Sequence, residues 1–193
     1  MANLDEAIFL RINGWVGSVP ALDHMVGWLV SDYLASTVLG FSLVVLWPAG
    51  RDDETRMRNQ VGVLMALVGM ALASWLVFIS NGLFFRDRPF IDLDVNLLFY
   101  RPTDSSMPAN SAAAFFGIAS AIWWVHRRAG MALLAVAGLH AFLRVYTGVH
   151  YPSDVVVGAL IGVVGVASAY HLKGLVDPLP AMAVKAARIL CLA

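Results

Sequence analysis

Five stretches without a charged side chain, residues 33–50, 61–85, 105–125, 129–143 and 155–172, alternate with short polar segments. A helix needs about 20 mostly apolar residues to cross the hydrocarbon core of a bilayer. All but the fourth stretch approach or exceed that length, and the fourth does so if its helix runs past Arg144 toward Gly148. Residues 21–30 are also apolar but are interrupted by Ser31 and Asp32, so they form a short helix or the outer half of the first span. The pattern therefore predicts an all-α, polytopic transmembrane helical bundle with five or six spans, one membrane-embedded domain over residues 1–193. Its flanks differ. In segment 1–20, Leu4, Ile8 and Ile12 share a helical face, with Ala7 and Arg11 nearby, which predicts an amphipathic helix along the interface. The tail 174–193, with Val184, Lys185, Arg188, Ile189 and Leu190 after Pro178 and Pro180, predicts a second surface helix.

Composition strengthens this picture. Hydrophobic residues are 60% of the 193, charged residues 13%, and mean hydropathy is +0.74, whereas soluble domains are roughly 45–50% apolar and about 25% charged. Thirteen basic residues balance thirteen acidic ones, which argues against nucleic acid as a partner. The single cysteine, Cys191, excludes an intramolecular disulfide framework. No signal-peptide cleavage pattern is evident, so targeting falls to the spans themselves. Glycines recur within them at Gly62, Gly69, Gly158, Gly162 and Gly165, which predicts close helix packing rather than ligand binding.

Hairpin alternation groups 51–60, 126–130 and 173–193 on one side and 86–104 and 144–154 on the other. The first side carries Arg51, Arg56, Arg58, Arg127, Arg128, Lys173, Lys185 and Arg188; the second carries Arg86, Arg88, Arg101 and Arg144. The positive-inside rule makes the first side cytoplasmic.

The opposite side gathers unusual chemistry. Arg86-Asp87-Arg88-Pro89 follows the second stretch, Met107-Pro108-Ala109-Asn110-Ser111 lies at the start of the third, and Arg144, His150 and Asp154 follow the fourth. Arginine forks match phosphate oxygens, and a helix start after Pro108 offers backbone N–H groups to an anion. A histidine followed closely by an aspartate suggests an oriented imidazole nucleophile. Together these parts describe phosphoryl transfer at a membrane surface. His24, His126, His140 and His171 lack partners at useful spacing and are read as structural, and Asp92 and Asp94 resemble a metal pair only superficially.

These segments resemble the type 2 phosphatidic acid phosphatase family, whose motifs read K-x6-R-P, P-S-G-H and S-R-x5-H-x3-D. The third is nearly complete from Leu143-Arg144 through His150 to Asp154, with Leu143 in place of the serine, and Arg88-Pro89 supplies the end of the first. The stretch from Arg86 through Asn110, with Asn96-Leu97-Leu98-Phe99-Tyr100, is similar to the undecaprenyl-diphosphate phosphatase branch. The resemblance implies that His150 attacks the terminal phosphorus to form a phosphohistidine, with Asp154 holding its ring. Arg88, Arg144 and Arg86 bind phosphate oxygens, with the backbone around Ala109, Asn110 and Ser111. It implies no metal and no cofactor. The substrate is a polyprenyl diphosphate in the membrane lipid, recycled for cell-wall synthesis at the outer face of a bacterial-type cytoplasmic membrane.

The motifs also depart from the family pattern. Asn81 stands at the lysine of the first motif, Ala109 at the serine of the second, and Ser111 at its histidine, the family's general acid. A general acid is typically worth about 10²–10⁴-fold. A lipid monophosphate leaving from a diphosphate needs that proton less than an alkoxide does, so these positions favour a diphosphate substrate. Ser111 remains the catalytic position of that motif. The same departures also fit a lipid-phosphate-binding protein without turnover. A lipid-phosphate transporter fits less well, because the stretches 61–85 and 155–172 carry no ionisable group but His171.

Overall fold

The computed structural model describes residues 4–31, 33–176 and 178–189; Leu190 and Cys191 lie outside them. The described residues are helical with no strand, in the order α1 (Leu4–Asn13), α2 (Pro20–Leu29), α3 (Leu34–Leu46), α4 (Asp53–Leu83), α5 (Pro89–Asp92), α6 (Asn110–Val125), α7 (Arg127–Tyr146), α8 (Pro152–Val176) and α9 (Leu179–Ile189). Each apolar stretch coincides with one helix. By length and hydropathy α4, α7 and α8 each suffice to cross a membrane, and α2 with α3 can form a fourth, bent span. Residues 20–29 are too short to cross alone, so α2 is not an independent sixth span.

The third stretch is shortened. It begins at residue 105, but α6 begins only at Asn110, leaving 16 residues. The preceding chain is tied elsewhere. The Ser106 N–H donates to the Arg86 carbonyl, the Arg86 N–H to Ser105 Oγ, and the Ala109 N–H to the Asp154 carbonyl. These bonds hold residues 105–109 as a loop on the ends of α4 and α8.

Helices α4, α6 and α8 form the centre, and α7 packs on α6. Glycine makes the seam possible. A side chain at Gly158 would run into the backbone of Ala109, one at Gly162 into Ala113 and Gly117, and one at Gly69 into Val166. Leu39, Ala66, Phe115, Ile118, Ala119 and Val166 fill the interior. Phe41, Val44, Trp75, Phe78, Leu160 and Val164 point outward, an apolar surface that suits lipid rather than water.

The N-terminal helix also packs on the bundle. Leu4 and Ile8 are exposed, but Phe9 is fully buried, with its ring centroid 5.4 Å from that of Tyr151. Asn13 is buried as well. Its amide donates to the carbonyls of Asn96 and Tyr146, each at 2.9 Å, and its oxygen accepts from the Asn96 N–H. Helix α1 is therefore keyed into the bundle beside the start of α8. At the other end, α9 lies against α4 and α8 with Val184 buried.

Candidate active site

The turn between α7 and α8 builds the centre of the site. The Thr147 hydroxyl donates to the Leu143 carbonyl at 2.8 Å, closing α7. Gly148 then takes φ 86°, a left-handed conformation that glycine adopts without strain. The chain reverses, and the Val149 N–H reaches back to the Arg144 carbonyl at 3.1 Å. Arg144, His150 and Asp154 are all brought indoors by this turn, at 5%, 2% and 0% exposure.

The bonds of His150 define its tautomer. Nδ1 lies 2.9 Å from the Ser106 carbonyl, which can only accept, so Nδ1 carries the hydrogen. Nε2 lies 3.2 Å from Nη1 of Arg88, which can only donate, so Nε2 presents a lone pair. Burial holds the imidazole below its usual pKa, and the cations Arg88 and Arg144 act in the same direction against the opposing Asp154. The ring is neutral, with its Nε2 lone pair turned to Arg88 Nη1 at the cavity.

Asp154 does not bond that ring directly. Its Oδ2 stands 3.8 Å from Nδ1 and accepts instead from the Ser106 hydroxyl at 2.5 Å and the Tyr151 N–H at 2.8 Å. Its Oδ1 accepts from Nη1 of Arg86 at 2.6 Å. The carboxylate thus fixes Ser106, whose carbonyl holds the imidazole. Ser106 gave no side-chain signal for this role, since the group that meets the ring is a backbone oxygen.

Arg88 is buried and clamped. Its Nε donates to the Asp104 carbonyl at 3.0 Å, Nη2 to the Asp104 carboxylate at 2.8 Å, and Nη1 to the Val149 carbonyl at 3.1 Å. Arg144 places its guanidinium 4.4 Å from the Phe99 ring centroid. Arg88, Arg144 and His150 line a cavity of about 310 Å³ together with Asn110, Ser111 and Asp104. Asn110 and Ser111 occupy the first turn of α6, where backbone N–H groups have no intrahelical acceptor and favour an anion. Asp104 is among the residues of this lining, with Ser36 and Phe115, to which sequence reasoning gave no role. It sits in a loop whose fold the apolar pattern does not encode.

Two residues expected at the phosphate are placed elsewhere. Ala109 is fully buried off the cavity, and its N–H is already given to the Asp154 carbonyl at 3.0 Å. Arg86 faces away, toward Asp5 at 2.8 Å and Asp154 at 2.6 Å, with its guanidinium 4.1 Å from the Tyr151 ring centroid. Two carboxylates outcompete the cavity for its charge. His140 stacks edge-on against Phe115, behind the cavity wall, and His126 meets Asn59 at 3.0 Å; neither histidine lines the cavity.

Comparison with known proteins places this geometry. The PAP2 superfamily matches residues 62–176, which include every cavity residue named above. The putative undecaprenyl-diphosphatase YbjG of Escherichia coli K12 is 30% identical over 171 residues, covering 88% of this chain and 82% of that protein. The bacitracin transport permease protein BcrC of Bacillus licheniformis is 33% identical over 163 residues, covering 83% and 75%. Among solved structures, Aquifex aeolicus LpxE superposes with a TM-score of 0.64 at 29% identity, covering 88% of this chain and 96% of that one.

Proposed function

The chain belongs to the PAP2 superfamily, and we propose that it removes the terminal phosphate from a polyprenyl diphosphate, undecaprenyl diphosphate above all, through a phosphohistidine on His150. The observation that carries this is the neutral His150 ring. Its Nε2 lone pair stands beside the Arg88 guanidinium at the same cavity as Arg144 and the start of α6. Nε2 attacks phosphorus; the N–P bond forms as the bond to the lipid monophosphate oxygen breaks. Arg88 and Arg144 neutralise the equatorial oxygens, where charge is highest in the transition state. The Ser106 carbonyl keeps the ring proton on Nδ1 throughout. Water then cleaves the N–P bond and inorganic phosphate leaves.

A serine hydroxyl does not protonate a leaving group at neutral pH, and Ser111 is the cavity residue at the family's acid position. A lipid monophosphate departs as a stable anion, so the diphosphate substrate fits this lining and a phosphomonoester does not. The charge asymmetry of the loops supports a multi-pass protein of a bacterial-type cytoplasmic membrane with the site at the outer face. The product, undecaprenyl phosphate, then re-enters cell-wall synthesis. Likeness to YbjG, named as a putative undecaprenyl-diphosphatase, supports the same substrate class.

Phosphate release from undecaprenyl diphosphate by the purified chain tests the reading, run beside His150→Ala and the Ala109→Ser, Ser111→His double variant. Hydrolysis by the chain and none by His150→Ala is expected, with the double variant gaining mainly on phosphomonoesters. Ser111 and Ala109 also favour a second reading, a lipid-phosphate binder without turnover. Saturable diphosphate binding with release only in the double variant selects it.

A further inference from the structure

Behind the histidine, a polar chain runs out of the catalytic turn and ends on a different helix. Asp5 of α1 accepts from the Ser153 N–H at 2.9 Å through Oδ1. Its Oδ2 accepts from the Ser153 hydroxyl at 2.5 Å and from Nη2 of Arg86 at 2.8 Å. The other nitrogen, Nη1, donates to Ser153 Oγ at 2.7 Å and to Asp154 Oδ1 at 2.6 Å. From Asp154 the chain continues through the Ser106 hydroxyl, and the carbonyl of the same residue reaches His150 Nδ1. Asp5 lies outside the residues matched to the superfamily and 148 positions from Ser153.

A guanidinium presents a planar fork of five donors. Ser153 Oγ and Asp154 both engage Nη1 alone, which leaves the orientation of Nη2 to Asp5. Asp5 engages the second nitrogen and also fixes Ser153, the residue before Asp154, so fork and carboxylate share one orientation. The burial and bonding of Asp5 support its ionised state. Burial raises its pKa, but the bonds from Ser153 and Arg86 outweigh this and leave it below the usual carboxylate value. Helix α1 has further anchors beside this contact, Phe9 on the Tyr151 ring and Asn13 on the carbonyls of Asn96 and Tyr146.

We propose that Asp5 is a positioning residue for the phosphatase reaction, acting through Arg86 and Asp154 to keep His150 Nδ1–H on the Ser106 carbonyl and its Nε2 aimed into the cavity. This rests on the nucleophilic role of His150 proposed above. It makes the N-terminal helix part of the catalytic apparatus.

A double-mutant cycle on the full-length protein tests it, with Asp5→Asn, Arg86→Gln and their combination assayed on undecaprenyl diphosphate. Misplacing a reacting group by about 1 Å can cost 10²-fold, so Asp5→Asn should lower kcat by about ten- to a hundredfold with KM within about twofold. The combination should be no slower than Arg86→Gln alone, the non-additivity expected of residues acting as one unit. Unchanged kcat in Asp5→Asn, or losses that multiply, overturns the proposal. Should Asp5→Asn fail to fold, Arg86→Lys makes the same test, since an ammonium keeps one carboxylate but cannot span both as a fork. An unimpaired kcat there is equally fatal.

If the unaltered chain releases no phosphate, the functional reading has failed, and the positioning role is decided by imidazole ¹⁵N spectra, with His150 assigned by comparison with His150→Gln. A single Nδ1–H tautomer that becomes a mixture in Asp5→Asn supports the role; identical spectra refute it.

Discussion

The two faces of the His150 ring are built from the same kinds of residue to opposite ends. The cavity face has Arg88, Arg144 and the start of α6, cationic groups gathered around space. The rear face has Asp5, Arg86, Ser153, Asp154 and Ser106, in which the charges are neutralised against one another. Arg86 and Arg88 are two residues apart and chemically identical, yet one stands in each. Nearby carboxylates make the difference. Arg86 is claimed by two, whereas the one carboxylate on Arg88, Asp104, is 63% exposed and held only at the cavity mouth. The cations of one face border open space, and the cation of the other lies between two carboxylates that fix its geometry.

This contrast makes ordered demands on mutants. Removing the atom between the faces should cost most: His150→Ala should lower phosphate release by about 10⁴-fold or more, as loss of a nucleophile does. On the cavity face, Arg144→Ala should lower kcat/KM by about 10²–10³-fold, the usual cost of losing one preorganised donor to the transition state. On the rear face, Asp154→Asn keeps the size of the side chain but not its charge. It should cost about 10–100-fold in kcat with little change in KM. A rear-face loss carried by KM instead would merge the two faces into one binding site.

The pH profile sharpens the same division. A lowered imidazole pKa means that the nucleophile stays neutral as pH falls past 6.5, and its acid limb begins only below that value. Arg88→Gln removes one of the cations that depress it, so the limb should move toward higher pH. The smallest effect belongs to Asp104→Asn. An ion pair with its carboxylate exposed lies near the surface range of roughly 0–1 kcal/mol, so freeing Arg88 from Asp104 should lower KM by no more than a few-fold, read from initial rates across substrate concentration.

Much of this was legible in the chain before any coordinates. The apolar stretches predicted the helices of the bundle, since burial in lipid needs long uncharged runs. The spacing of Arg144, His150 and Asp154 pointed to one catalytic turn. Other parts had no such signal. The partner of His150 Nδ1 is a carbonyl, which every residue possesses. Asp5 reads as an ordinary first-turn acid of an amphipathic helix, and only tertiary structure brings it to Arg86. The charge-free stretch opens at residue 105, yet the helix starts after Pro108 as the motif suggested, because the Ser106 and Ala109 N–H groups are drawn to Arg86 and Asp154. Ala109 was assigned to the phosphate by its place in the second motif, but its N–H is given to the Asp154 carbonyl.

The glycine seam between α6 and α8 has a mechanical consequence. Gly158 and Gly162 let backbone rest on backbone, and the Ala109 N–H ties α6 to the Asp154 carbonyl at the top of that contact. The spacing between the anion cradle and the helix that carries Asp154 is therefore set by a hard stop of main-chain atoms. Side chains facing the lipid can yield as a bilayer thickens, thins or warms. The working gap does not yield with them, and one fold can keep a constant reach across changing membranes.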